Sequence, residues 1–160
     1  MTDPAAFEGE LLRMESALGL PAEREAGPAA GRPVVLVVDD DPRVLETLRE
    51  VLGGRYRVQV FSSGEDLRSR WSGEGDAAVL DIKMPEEDGL SVFRELRRRA
   101  PRMSVIFFTA YPGDEEVAAR ARALGPAAFL GKGCPLADLL DVLGAATRRH
   151  AESQEGSRHV

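Results

Sequence analysis

The chain has 160 residues, a net charge of −6, one cysteine and two histidines. That length allows one ordinary domain with a short appendage, and a domain of ~120 residues buries roughly two-thirds of its unfolded surface without a disulfide staple. The acidic balance speaks against nucleic acid as a partner, while a lone Cys134 excludes an internal disulfide or a cysteine-based zinc cluster and suits a reducing compartment.

The first ten residues carry acids and no apolar stretch, so no signal peptide is expected, and no run approaches the ~20 apolar residues of a membrane span. A soluble, cytoplasmic chain is the expectation. Asp3 suits an N-cap, Pro4 a first helical position and Gly19 a C-terminal cap. Between them Phe7, Leu11, Met14 and Leu18 make one narrow apolar stripe, which predicts a short amphipathic helix over 4–18. It reads either as a docking or self-association helix or as a segment that packs on the domain or stays largely unfolded when isolated. Residues 19–33, rich in Pro, Gly and Ala, read as a linker, so 1–32 form an amino-terminal arm.

From Pro33 onward apolar runs alternate with helical patterns. Strands are predicted over 34–39, 56–61, 76–81, 103–109 and 127–131, and helices over 42–53, 64–71, 88–100, 114–124 and 135–148. Such alternation means parallel strands joined by right-handed crossovers. Four strands are continuously apolar, as strands covered on both faces should be. In the second, Tyr56, Val58 and Val60 alternate with Arg57 and Gln59, the pattern of a half-exposed edge. The fold class is therefore α/β, a doubly wound five-stranded parallel sheet in the flavodoxin-like order 2-1-3-4-5, occupying residues 33–148. Residues 149–160 read as a disordered polar tail. Both histidines, His150 and His159, fall there, which leaves the folded part without an imidazole for a triad, a general base or a phosphohistidine carrier.

Chemistry collects where the strands end. The first runs into Asp39-Asp40-Asp41, the third into Asp81, the fourth into Thr109 and the fifth through Gly131 into Lys132. Ligands of open α/β sheets bind at that edge, where strand order reverses. Three carboxylates repel one another unless a divalent cation neutralises them, and Asp39, Asp40 and Asp81 are an oxygen-rich, histidine-free set of the kind Mg²⁺ takes. Asp41, followed by Pro42, reads instead as a helix cap. Of 21 basic residues only Lys83 and Lys132 are lysines, and a mobile ammonium suits a single phosphoryl oxygen better than a guanidinium fork does. Arg94, Arg97, Arg98, Arg99 and Arg102 read as a solvated helix end, and Trp71 as a packing residue.

Val37-Val38-Asp39-Asp40-Asp41-Pro42, then Asp81-Ile82-Lys83-Met84-Pro85 with Asp88-Gly89, then Thr109-Ala110, then Phe129 three residues before Lys132, resemble the receiver domain of bacterial two-component response regulators. The resemblance covers about residues 33–148. It implies that Asp81 accepts a phosphoryl group from a sensor histidine kinase or phosphotransfer protein. Mg²⁺ would be held by Asp40, Asp81 and the backbone carbonyl of Lys83, with Asp39 assisting through water. Lys132 would pair with the phosphoryl oxygens, and Thr109 and Phe129 would turn inward as the switch. Lys83 and Tyr111 sit where receivers tune hydrolysis of the acyl phosphate; both are bulky, which implies slow autodephosphorylation. Lys132-Gly133 departs from the family's usual Lys-Pro.

On this reading the chain is a phosphorylatable signalling switch rather than an enzyme. With few residues after 148, its output passes to a downstream effector protein through the face of the fourth helix, fifth strand and fifth helix (around 112–146). Two alternatives stand beside it. One is a small aspartate-nucleophile phosphatase resembling the haloacid dehalogenases, in which Asp39-x-Asp41 does the chemistry; the other is a pseudo-receiver that binds without being phosphorylated.

Overall fold

Apolar strands that need cover on both faces dictate three layers, helices on either side of a sheet. The structure, a computed structural model, describes residues 31–156. Strands β1 (Val34–Val38), β2 (Arg57–Phe61), β3 (Ala77–Leu80), β4 (Ser104–Thr109) and β5 (Ala128–Gly131) form one parallel sheet in the order β2-β1-β3-β4-β5. The helices between and after them are α1 (Pro42–Leu52), α2 (Gly64–Arg70), α3 (Gly89–Arg99), α4 (Glu115–Ala123) and α5 (Leu136–Gly156). This is the doubly wound sheet expected from the sequence, and every boundary except the end of α5 lies within one residue of its expected position. The helix expected over 4–18 and nearly all of the linker lie outside the described residues.

Successive strand side chains point to opposite faces, so each strand feeds two cores. Val35, Val37, Val79, Ile106 and Phe108 pack against Leu48 and Leu52 of α1 and Leu139 and Leu143 of α5. Leu36, Val38, Leu80 and Phe107 face the other way, onto Leu67 of α2, Phe93 and Leu96 of α3 and Ala121 of α4. The Phe93 and Phe107 rings stack with centroids 5.1 Å apart, a geometry worth roughly 0.5–1.5 kcal/mol beyond the area it buries. At the β2 edge, Tyr56, Val58 and Val60 join the α1 face while Arg57 stays exposed. Trp71 is buried; its indole N–H donates to the Glu74 carbonyl at 2.9 Å, and the Arg99 guanidinium lies 4.6 Å above the ring.

Four helices begin on a capping side chain. Asp41 accepts from the Arg43 amide at 2.9 Å, Ser63 from Asp66 at 3.0 Å, Asp88 from Leu90 at 2.8 Å and Asp114 from Val117 at 3.2 Å. Each cap is worth about 1 kcal/mol. Because the sheet is parallel, these starts gather at the rim where the strands end, which we call the carboxyl rim.

Helix α5 corrects one expectation. It continues to Gly156 instead of ending at 148, so residues 149–156 are helical and not a disordered tail. Their polarity carries no apolar period, which is why the sequence pattern stops short. Tertiary contacts hold them instead. His150 Nδ1 lies 3.2 Å from the Arg102 carbonyl, and its Nε2 lies 3.3 Å from Asp76 Oδ1. Asp76 Oδ2 in turn accepts the Val34 amide at 2.7 Å. The folded part thus contains an imidazole after all, at the amino rim, where the strands begin.

Candidate functional site

Each side chain of the carboxyl rim is placed by the residue before it in a strand. The Asp39 amide continues the ladder onto the Phe61 carbonyl at 3.1 Å, and the Asp81 amide bonds the Val38 carbonyl at 2.9 Å. Lys132 follows β5 directly, its amide on the Thr109 carbonyl at 2.7 Å. The ladder therefore fixes where all three side chains start. Asp39 Oδ1 accepts the Asp41 amide at 2.9 Å, which turns the chain and sends the Asp41 carboxylate to its capping bond on Arg43.

The Lys132 ammonium lies 2.7 Å from Asp39 Oδ2 and 3.3 Å from Asp81 Oδ2. Asp39 and Asp81 are 2% and 5% exposed, and Asp39, Asp40 and Asp81 can each offer an oxygen within 4.8 Å of the others. Thr109, also buried, accepts the Tyr111 amide on Oγ1 at 3.1 Å. The four strand ends singled out by the sequence thus lie at one rim, where Asp39, Asp40, Asp81 and Lys132 meet and Thr109 is joined to Lys132 through its backbone carbonyl.

Three acids against one ammonium leave the site short of positive charge, and burial sharpens this. Burial pushes the Asp81 carboxyl up to about 7, with the neighbouring Asp39 charge adding to it and Lys132 opposing. Burial raises Asp39 too, against the pull of Lys132. Burial alone would lower the Lys132 ammonium, but Asp39 and Asp81 together outweigh it and lift it. A close set of hard carboxylate oxygens, partly desolvated and under-neutralised, fits a small divalent cation such as Mg²⁺. Asp41 stands outside this set and is used instead as the cap of α1, accepting the Arg43 amide.

The remaining expected residues take up less obvious places. Phe129 is half-buried, with the Arg122 guanidinium of α4 4.9 Å from its ring centroid. The Lys83 ammonium reaches sideways from the loop after β3, to Asp114 Oδ2 at 3.1 Å and to a point 4.6 Å from the Tyr111 ring centroid. No cis peptide occurs among the described residues, Lys132-Gly133 included.

Three contributors escaped the sequence reading. Gly89 packs directly behind the end of β3: a Cβ there would stand 2.0 Å from the Asp81 carbonyl oxygen and 2.7 Å from Ile82 Cα, so only glycine fits. Its place in Asp88-Gly89 marked a helix start but gave no hint of what it abuts. Arg68 of α2 donates to Glu87 at 2.9 Å and to Glu95 at 2.8 Å, tying down the loop that follows Asp81. Asp114 was readable as a cap, but its bond to Lys83 spans 31 positions and no local pattern encodes it.

The chain matches the response regulator receiver domain family over residues 35–144. It is 38% identical over 117 residues to the response regulator MprA of Mycobacterium ulcerans (strain Agy99), a match covering 72% of this chain and 50% of that one. The chain spans about half the length of the curated relatives it matches. Among solved structures, a CheY-like receiver domain protein from Methanospirillum hungatei JF-1 aligns with a TM-score of 0.70 at 22% identity, covering 77% of this chain and 99% of that one. The BeF3-activated receiver domain of DrrB, a Thermotoga maritima protein, aligns at 0.67 and 26% identity, covering 73% and 98%.

Proposed function

The chain belongs to the response regulator receiver family, and from that premise we propose that it is a signalling switch that carries a phosphoryl group on Asp81. The donor is the phosphohistidine of a sensor kinase or phosphotransfer protein. An Asp81 carboxylate oxygen attacks phosphorus, the P–N bond breaks, and its electron pair returns to the donor imidazole. No general base is required where a bound divalent cation neutralises the cluster, because Asp81 is then an anion.

Asp39, Asp40, Asp81 and the Lys83 carbonyl would hold Mg²⁺, which supplies charge neutralisation for the acids and the incoming phosphoryl oxygens. The rest falls to the chain's own groups. Burial keeps water from competing with Asp81. The Lys132 ammonium, shared between Asp39 and Asp81, is within a small rotation of any oxygen carried on Asp81. The Thr109 hydroxyl accepts a bond from the Tyr111 amide but keeps its own proton free to donate to such an oxygen. Once Thr109 turns inward, Phe129 follows and gives up its contact with Arg122. New contacts made only in the phosphorylated state shift the balance between two packings. The face of α4, β5 and α5 passes that shift to an effector protein.

The observation that carries this reading is the Lys132 ammonium bridging two buried carboxylates at the carboxyl rim, with a third acid beside them. The test is incubation with acetyl phosphate and Mg²⁺, read by intact mass. One added phosphoryl group is expected, lost in Asp81→Asn and retained in Asp39→Asn. Modification that persists in Asp81→Asn would overturn the assignment.

A further inference from the structure

The charges of α3 are unevenly shared between its two sides. Glu95 is taken by Arg68 of α2 at 2.8 Å and by Arg99 at 4.0 Å. Toward the end of α4, Arg94, Arg97 and Arg98 are all exposed. With Ser91, Phe93 and Leu124 they line a groove of about 600 Å³, and no acid belongs to that lining. Arg97 is held within the fold, donating to the Gly125 carbonyl at 2.8 Å and lying 5.2 Å from the Phe93 ring centroid. Arg94 and Arg98 have no acidic partner among the described residues. The helix dipole accounts for cations in the last turn, but its effect has faded by Arg94.

The same chain carries a segment of matching character. Before Gly31 it has six acidic side chains and only two basic ones, Arg13 and Arg24. At about 3.6 residues per turn, Glu8 and Glu15 border one side of the stripe formed by Phe7, Leu11, Met14 and Leu18. Glu10 borders the other side, and Arg13 falls away from the stripe. An apolar stripe edged with acids complements a groove in which Phe93 and Leu124 lie among arginines.

The connection is long enough. The chain enters β1 at the amino rim, where the Asp76 amide bonds the Val34 carbonyl at 2.9 Å and the Ser104 amide bonds the Asp76 carbonyl at 3.3 Å. Leu124 and Gly125, just before β5, bring the groove to that same rim. It therefore lies two to three strand spacings across and one layer up, about 10–15 Å and about 10 Å. Residues 19–30 span about 40 Å when extended and about 20 Å on average as a flexible chain. Such a tether sets an effective concentration on the order of millimolar, so even a weak contact is occupied. An outside acidic partner or a second copy must compete with it.

We propose that the groove between α3 and α4 is a docking site for the chain's own acidic amino-terminal segment, residues 4–18, seated as a helix with its glutamates toward the arginines. The proposal stands independently of phosphoryl chemistry at Asp81.

Amide exchange of the full chain, read by mass spectrometry, tests the charge pairing. Arg94→Glu with Arg98→Glu should speed exchange in 4–18 about fivefold, because favourable exposed pairs become repulsive ones. Glu8→Arg with Glu15→Arg should do the same, and the four substitutions together should restore slow exchange. The urea midpoint of the arginine variants should stay put, since both side chains are exposed. Exchange indifferent to either reversal, or not restored by the combination, would overturn the proposal. A second measurement locates the segment. A nitroxide on Ser16→Cys, in a Cys134→Ser background, should broaden the amide signals of Ser91 and Leu124 and spare Glu50 on α1. Absence of that broadening leaves the groove to an outside partner and sinks the idea. Broadening of isotope-labelled chains by spin-labelled, unlabelled ones sinks it too, by assigning the groove to another copy.

Discussion

At the amino rim, Asp76 has a partner for each oxygen: the Val34 amide at 2.7 Å on one, His150 Nε2 at 3.3 Å on the other. At the carboxyl rim, Asp39, Asp40 and Asp81 gather around a single ammonium, and burial drives Asp39 and Asp81 towards protonation. The same sheet therefore ends in a satisfied acid on one side and an under-neutralised cluster on the other. Satisfied pairs add stability, while a desolvated like-charge cluster costs stability until a ligand relieves it. The contrast marks the carboxyl rim as the electrostatically incomplete one, by an argument independent of any likeness to other proteins.

The hardest blow to the contrast is steric. Gly89→Ala places a methyl group against the Asp81 carbonyl, which backbone movement alone can relieve. It should cost about 3 kcal/mol in urea unfolding and impair phosphoryl incorporation as well, because the acceptor strand end must shift.

The two rims should then respond with opposite signs. In EDTA, Asp81→Asn removes one charge from the crowded cluster and should stabilise the fold by about 2 kcal/mol near neutral pH. Asp76→Ala leaves the Val34 amide without its partner and should destabilise by about 1–2 kcal/mol. The pH dependence carries its own sign. Folding raises Asp81 from 3.8 to about 7, so the folded state holds that proton more tightly than the unfolded chain does. Its contribution is therefore present in acid and lost as pH climbs between those values. Wild type in EDTA should lose stability over that interval, and Asp81→Asn should lose less. Urea midpoints at pH 5 and pH 7.5 decide it, and a variant with an unaltered slope would remove Asp81 as the cause.

The smallest effect belongs to His150→Ala. Its contacts lie at the periphery, and about 0.5 kcal/mol is expected, with fraying of α5 beyond Thr147 seen as faster amide exchange. Phosphoryl incorporation should not change, since the contacts of His150 are made to Arg102 and Asp76 at the amino rim.

Period and punctuation made most of the fold legible. The apolar runs ending at Asp39, Asp81, Thr109 and Lys132 placed the strands, and the alternation in Tyr56–Val60 placed β2 at an edge. Asp41-Pro42 and Asp88-Gly89 announced helix starts with a mechanism behind each. What stayed hidden was tertiary in origin. Residues 149–156 are polar all round, so nothing local distinguishes a helix pinned by Asp76 from a loose tail. Gly89 is constrained by the backbone of Asp81 and Ile82, eight and seven residues earlier, which approaches it only in space. Lys83 and Asp114 sit on different loops. The site residues could be read because one sheet edge forces strand ends together; their supports could not, because no such rule governs loops.

The scarcity of lysine has a practical corollary. Both side-chain amines of the chain stand at the carboxyl rim, Lys83 45% exposed and Lys132 13%. Acylating reagents need an accessible, neutral amine, and Lys132 is neither, being enclosed and held charged by its carboxylates. A brief pulse of such a reagent should therefore tag Lys83 well ahead of Lys132. The ratio of the two tags becomes a footprint of the carboxyl rim that needs no label engineered into the protein.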